Sequence, residues 1–198
     1  MNRALLSSKD MNWCTPQDFF DTLNQEFHFA LDAAATDKTA KCPLYFTPET
    51  DGLKSSWDVH GAVFCNPPYG REIGKWVRKA YEEAQKGTTI VLLIPARTDT
   101  SYFHEYIYGK AELRFIRGRL RFTDSDGNPA DPAPFPSMLV IYNGDKAKKG
   151  HVYRVSIRHH ADGWVPWNIL TECTTLLEIQ KALRERRRSY EHNGNEIL

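Results

Sequence analysis

"GAVFCNPPYG", residues 61–70, decides how the chain is read. Residues 61–65 have the small, β-branched and aromatic character of a strand, and an asparagine with two prolines follows at once. Proline cannot donate to a sheet ladder and biases the residue before it away from the α region, so Asn66-Pro67-Pro68 must leave the strand as a stiff, extended turn. Such a turn holds a side chain still. The Asn66 side-chain carbonyl beside the backbone carbonyl of Pro67 makes two convergent acceptors, and their natural complement is a planar NH2 group. The exocyclic amine of a base is a poor nucleophile because its lone pair is delocalised into the ring. Two acceptors aimed at its hydrogens favour the pyramidal form and stabilise the charge that develops as a bond forms to nitrogen. Tyr69 is next in line to stack on the acceptor's ring. A turn that merely ends a strand explains the prolines but leaves Asn66 and Tyr69 without a role.

Outward from this turn, hydrophobic period organises the chain. "FHFALD" (27–32) reads as a strand ahead of it. After it, Ile73, Trp76, Val77, Ala80 and Ala84 make one apolar helix face, ending near Gly87 as a C′ residue. "TTIVLLIP" (88–95) is the continuous apolar run of a strand buried on both faces. A further helix is expected over 101–108, stopping at Gly109, with strands in "AELRFI" and "SMLVIY" (137–142). The Gly-, Pro- and Asp-rich stretch between those strands reads as a loop. Alternating strands and helices argue for an α/β domain with an open, mostly parallel sheet, whose ligands bind beyond the carboxyl ends of the strands. This catalytic domain is expected over 1–149. Residues 150–198 read as a C-terminal appendage: a strand in "HVYRVSI", an irregular stretch around Trp164 and Trp167, and a basic helix over about 174–190.

With 198 residues and 41% apolar content, the chain suits one ordinary core. Its apolar runs fall short of membrane-spanning length and its first residues are too polar for a secretory signal, so a cytoplasmic protein without membrane contact is expected. Four cysteines lie far apart without zinc spacing, which predicts buried thiols and no metal site. The net charge of +1 says little, because recognition of an anionic polymer depends on where the charges sit. Basic residues cluster in "LRFIRGRLRF", with Arg114, Arg117, Arg119 and Arg121, and in a run from Lys181 to Arg188. Either cluster is a phosphate-contacting surface or a solvated face. Arg117, Arg119 and Arg121 share one side if extended, as for phosphate binding or base readout, or for a solvated edge strand protected by charge. Arg97, Thr98 and Asp99 follow the buried strand on the ligand side of the sheet, where they either position a cofactor or a flipped base or form a strand-to-helix loop with Thr98 or Asp99 as N-cap.

N-P-P-Y after a strand resembles motif IV of amino-methyltransferases, and residues 13–142 resemble the phage-type DNA N6-adenine methyltransferases (Dam-like). The matching pieces run in order: "WCTPQDFFDTL", "FALDAAATDKTAKCPLYF", "DGLKSSW", "VFCNPPYG", "LLIPARTDTSYFH", "FIRGRLRF" and "PFPSMLVIY". The resemblance implies a Rossmann-like methyltransferase fold with S-adenosylmethionine as methyl donor and double-stranded DNA as partner. It also implies that Thr15 and Pro16 lie beside the methionine part of the donor, that Asp32 lies near its amino group, and that Asp51 meets its adenine amine. Locally, Thr15 also reads as an N-cap with Pro16 at N1, and Asp51-Gly52 as a turn. The usual glycine-rich motif after the first strand is replaced by Ala33-Ala34-Ala35, so the donor loop must take its own course. Asp37 is the candidate for a ribose-binding acid.

The implied reaction takes an adenine out of the stack, because its N6 is inaccessible inside the duplex. Tyr69 stacks on it, and Asn66 with the Pro67 carbonyl holds the amine for direct methyl transfer. No metal is required. A glutamine side chain presents a similar NH2, so protein glutamine methylation is the alternative, with cytosine N4 chemically close. A DNA-binding module without catalysis is the non-enzymatic reading. The phage-type resemblance suggests self-protection against host restriction.

Overall fold

The computed structural model describes residues 13–124, 126–128, 131–144, 154–160 and 163–167. Their elements run α1 (Gln17–Phe27), β1 (Phe29–Asp32), β2 (Leu44–Tyr45), β3 (Ala62–Cys65), α2 (Ile73–Ala84) and β4 (Ile90–Pro95). A π-helical turn (Phe103–Ile107), β5 (Glu112–Ile116), β6 (Ser137–Tyr142), β7 (Arg154–His160) and β8 (Gly163–Trp167) follow. Met1–Trp167 form one compact unit; the second, Asn168–Leu198, lies outside the described residues, and with it the expected basic helix and the Lys181–Arg188 run.

One sheet carries the order β2-β1-β3-β4-β6-β5-β7-β8. The first four strands are mutually parallel. β6 inserts antiparallel to both β4 and β5, and β8 runs antiparallel to β7, so the α/β domain has a mixed sheet in which these two strands oppose the rest. β4 is buried at all six positions because it has partners on both edges and cover on both faces, as its unbroken apolar run predicts. The α2 face is also as the spacing predicts: Ile73, Val77, Ala80 and Ala84 are buried. Gly87, at φ +108°, then turns the chain into β4.

Two elements differ from the sequence reading. The helix expected over 101–108 widens into a π turn, closed by the Tyr108 N–H donating to the Phe103 carbonyl at 2.8 Å. That wider turn buries both Phe103 and Ile107, and the Tyr142 hydroxyl donates to the Tyr106 carbonyl at 2.9 Å. The stretch around Trp164 and Trp167 is not irregular but forms β8, paired with β7 along one side only. An edge strand tolerates a proline, which is why Pro166 does not break it. β7 and β8 extend the sheet past residue 149. No helix among the described residues is long and apolar enough to cross a membrane, and no group of three or more His, Cys, Asp or Glu there is arranged to hold a metal ion.

Candidate functional site

β1 and β3 are parallel neighbours, with Asp32 opposite Phe64. The chain leaves β1 toward β2 on one side and leaves β3 toward β4 on the other, so the carboxyl ends of β1 and β3 part around a crevice at the switch of direction. A cavity of about 400 Å³ opens there, within the ordinary range for small-molecule sites. Thr15, Asp32, Asp51, Asn66, Pro67 and Pro68 all line it, so residues scattered over fifty positions meet at one place.

The asparagine is held at one end only. Its Nδ2 donates to the Trp13 backbone carbonyl in a short hydrogen bond and to Thr15 Oγ1 at 3.0 Å. A carbonyl cannot donate, so it fixes which end of the amide is nitrogen. Asn66 Oδ1 is buried and has no hydrogen-bond partner. A buried acceptor without a donor costs about 1–3 kcal/mol, a penalty that a ligand NH2 would relieve. Thr15 does not cap α1: the N-cap position is Pro16, half-buried and without a side-chain cap, and the Thr15 hydroxyl serves Asn66 instead.

Asp32 ends β1 with a carboxylate that is only 3% exposed. Its oxygens accept from the Ala34 N–H at 3.4 Å and the Lys41 N–H at 3.1 Å. Burial pushes its carboxyl up to about 6, while those two N–H groups and the Lys41 charge pull the other way. The alanines that replace the expected glycines need no positive φ. Ala33 donates to the Phe64 carbonyl at 2.8 Å and Ala35 to the Phe46 carbonyl at 2.9 Å, so the loop bends after β1 while staying bonded to the chain on either side. Ala33 is fully buried beneath the site, whereas Ala34 and Ala35 line the cavity. Asp37 is absent from the lining and accepts a hydrogen bond from the Tyr45 hydroxyl at 3.0 Å.

Asp51 is both a turn and a wall. It sits at φ +49°, and its carboxylate pairs with Lys54 at 2.8 Å, which holds it below the usual carboxylate range. The next residue brings backbone against backbone: a Cβ on Gly52 would lie 2.3 Å from the Ala33 carbonyl oxygen and 3.1 Å from the Trp76 ring. The fully buried Trp57 fixes this approach by donating its indole N–H to the Gly52 carbonyl at 2.8 Å. That bond accounts for the spacing in "DGLKSSW". Gly52→Ala is therefore expected to cost about 2 kcal/mol through overpacking, seen as a fall in Tm of about 4–8 °C in thermal unfolding.

Several lining residues escaped the sequence reading. Trp76, read as part of the α2 core face, is half-buried and lines the cavity with Phe46 and Pro48. Trp13 contributes a backbone carbonyl, which no side-chain pattern signals. Asp124 closes the rim, with its carboxylate taken up by the Asp126 and Asn128 N–H groups at 2.9 and 2.8 Å.

Other predicted residues fall elsewhere. Tyr69 is buried outside the cavity: its hydroxyl donates to the Leu93 carbonyl at 3.2 Å, and its ring meets Phe122 and Phe135 near perpendicular at centroid distances of 6.0 and 5.4 Å. Arg97 is exposed and does not line the cavity. Arg117, Arg119 and Arg121 are exposed, while Leu120 between the last two and Phe122 directly after them are buried. Arg114 does not join that surface. It is buried, doubly bonded to Glu26 at 2.5 Å and bonded to Glu112 at 2.6 Å, with its guanidinium over the Phe27 ring.

A family model described as DNA N-6-adenine-methyltransferase (Dam) matches residues 3–163. A DNA N-6-adenine-methyltransferase of Escherichia phage T1 is 34% identical over 117 residues, covering 59% of this chain and 48% of that protein, so the chain spans about half the length of this curated relative. The match takes in the whole cavity, from Trp13 to Asp124, and the chain belongs to the DNA N-6-adenine-methyltransferase (Dam) family.

Proposed function

We propose that the protein methylates the N6 amine of adenine in double-stranded DNA, with S-adenosylmethionine as donor and a Rossmann-like domain as scaffold. The observation that carries this reading is the buried, unpartnered Oδ1 of Asn66, a residue that lines the cavity. An amide oxygen accepts from an N–H, and an exocyclic amine supplies two. Family membership favours DNA over protein glutamine, because the amide geometry serves both acceptors equally.

The lining fits the donor. Asp32 is a buried carboxylate suited to a cationic end, Asp51 would take the adenine amine, and Phe46, Pro48 and Trp76 offer an apolar wall. S-adenosylmethionine supplies an electrophilic methyl group on a sulfonium. The protein's own work is alignment: Asn66 and the Pro67 carbonyl hold the acceptor amine, and the stiff turn keeps both from relaxing as charge develops. The target adenine reaches them only outside the helical stack. A stacking role for Tyr69 requires its buried ring to be uncovered, and the half-buried Phe135 is the neighbour placed to give way. Arg117, Arg119 and Arg121 are free on the surface to meet DNA phosphates, with Arg97 a further contact. A cytoplasmic enzyme acting on DNA in the host cell is consistent with these parts.

The test is methyl transfer from labelled S-adenosylmethionine to unmethylated duplex DNA, followed by nucleoside digestion and mass spectrometry. N6-methyladenine is the expected product. Methylated cytosine, or label found only on a protein glutamine, would overturn the reading.

A further inference from the structure

We propose that Thr15 is a positioning residue that, with the Trp13 carbonyl, sets the rotation of the Asn66 amide so that its oxygen and not its nitrogen faces the acceptor amine. The proposal rests on the methyl-transfer reading above and reassigns Thr15 from donor contact to amide alignment. A primary amide rotated by 180° has nearly the same shape, but it would point an NH2 at an NH2. Something must break that symmetry. The Trp13 carbonyl does so, because it only accepts, and Thr15 Oγ1 at 3.0 Å takes the second proton of the same Nδ2. Thr15 is 3% exposed, so water does not compete for that hydroxyl. With both protons of Nδ2 engaged, Oδ1 is left as the buried acceptor.

The clamp is itself anchored. Cys14, between the two groups that hold Asn66, exchanges both backbone hydrogen bonds with Thr123, at 2.9 and 3.3 Å. The three-residue segment therefore cannot turn about its axis without breaking that bridge. Thr123 lies two residues beyond Arg121, so the same short bridge joins the amide clamp to the arginine-bearing segment.

The experiment is a double-mutant cycle between Thr15 and Asn66 in the full chain, with kcat on duplex DNA, donor Kd by calorimetry and Tm read for each variant. Thr15→Val keeps the shape and removes the hydroxyl; it is expected to lower kcat about tenfold, the worth of one hydrogen bond to a catalytic amide, with donor Kd within about twofold of wild type. Thr15→Ser is expected to restore most of the turnover. In an Asn66→Ala background, Thr15→Val should change kcat no further, since the amide it orients is gone. A merely structural threonine would lower turnover in both backgrounds, and that additive result overturns the proposal. So does a Thr15→Val protein that keeps kcat but loses donor affinity, which returns Thr15 to the donor. If Thr15→Val fails to fold, Thr15→Ala takes its place in the cycle, removing the hydroxyl without adding bulk. Wild-type product is identified in the same assay: transfer to a glutamine or cytosine would overturn the adenine reading alone, and the cycle is then run on that acceptor, whose NH2 needs the same amide orientation.

Discussion

Asn66→Ala is expected to fold and to transfer methyl groups at least about 100-fold more slowly than wild type, the loss typical of one preorganised polar contact at developing charge. The reason lies in what the side chain does not do in the resting protein. Its oxygen has no partner, so truncation removes no hydrogen bond from that end; at the other end, the Trp13 carbonyl and the Thr15 hydroxyl lose theirs. Stability should fall by about 1–2 kcal/mol at most. Donor affinity should hold, because the role proposed for Asn66 lies with the acceptor amine. Single-turnover kinetics with saturating donor, beside a thermal melt and a donor titration, separate these effects. A folded Asn66→Ala protein with near-wild-type turnover would remove Asn66 from the reaction.

Asp32→Asn should act at the other side of the cavity. Loss of a buried charge facing a cationic ligand is expected to weaken S-adenosylmethionine roughly 10- to 100-fold, with the turnover of saturated enzyme less affected. The pH dependence gives a sharper signature. The raised carboxyl of about 6 means that ligand-free Asp32 is largely protonated below that value and ionised above it. Wild-type donor affinity should therefore be full above about pH 6 and fall by up to about tenfold per unit below it. Asp32→Asn should be flat across the same window. In the ligand-free protein the sign is reversed: Asp32's contribution to stability is fully present below its ordinary value of 3.8 and is lost as pH rises through about 6. Calorimetric titration between pH 5 and 8 checks both proteins. A wild-type affinity that does not change with pH would mean that Asp32 does not face the cation.

Much of this site was legible because its parts announce themselves locally. The proline pair after an apolar strand fixed the turn, the continuous run in 88–95 fixed the buried strand, and the α2 spacing fixed its face. The order of strands was not legible, since nothing in "SMLVIY" says that it inserts antiparallel between β4 and β5. Contacts made by backbone were equally silent. The Trp13 carbonyl on Asn66 and the Gly52 approach to Ala33 depend on main-chain atoms that every residue carries. Arg114 misled for a related reason: three arginines at alternate positions after it are exposed, and its own neutralising partner, Glu26, lies 88 residues away in sequence. Tyr69 shows the limit of reading roles by adjacency, because the residue beside the turn points its ring into an aromatic cluster and away from the cavity.

The alanine loop after β1 also differs from a phosphate-binding turn in what its amides do. Each of its three amides is already engaged: Ala33 with Phe64, Ala34 with the Asp32 carboxylate, and Ala35 with Phe46. A turn that cradles the phosphates of a nucleotide does so with amide groups left pointing at the anion. Here the three amides are already engaged and the Asp32 carboxylate sets a negative charge beside them, so this loop does not offer a phosphate the amide cradle that such a turn provides.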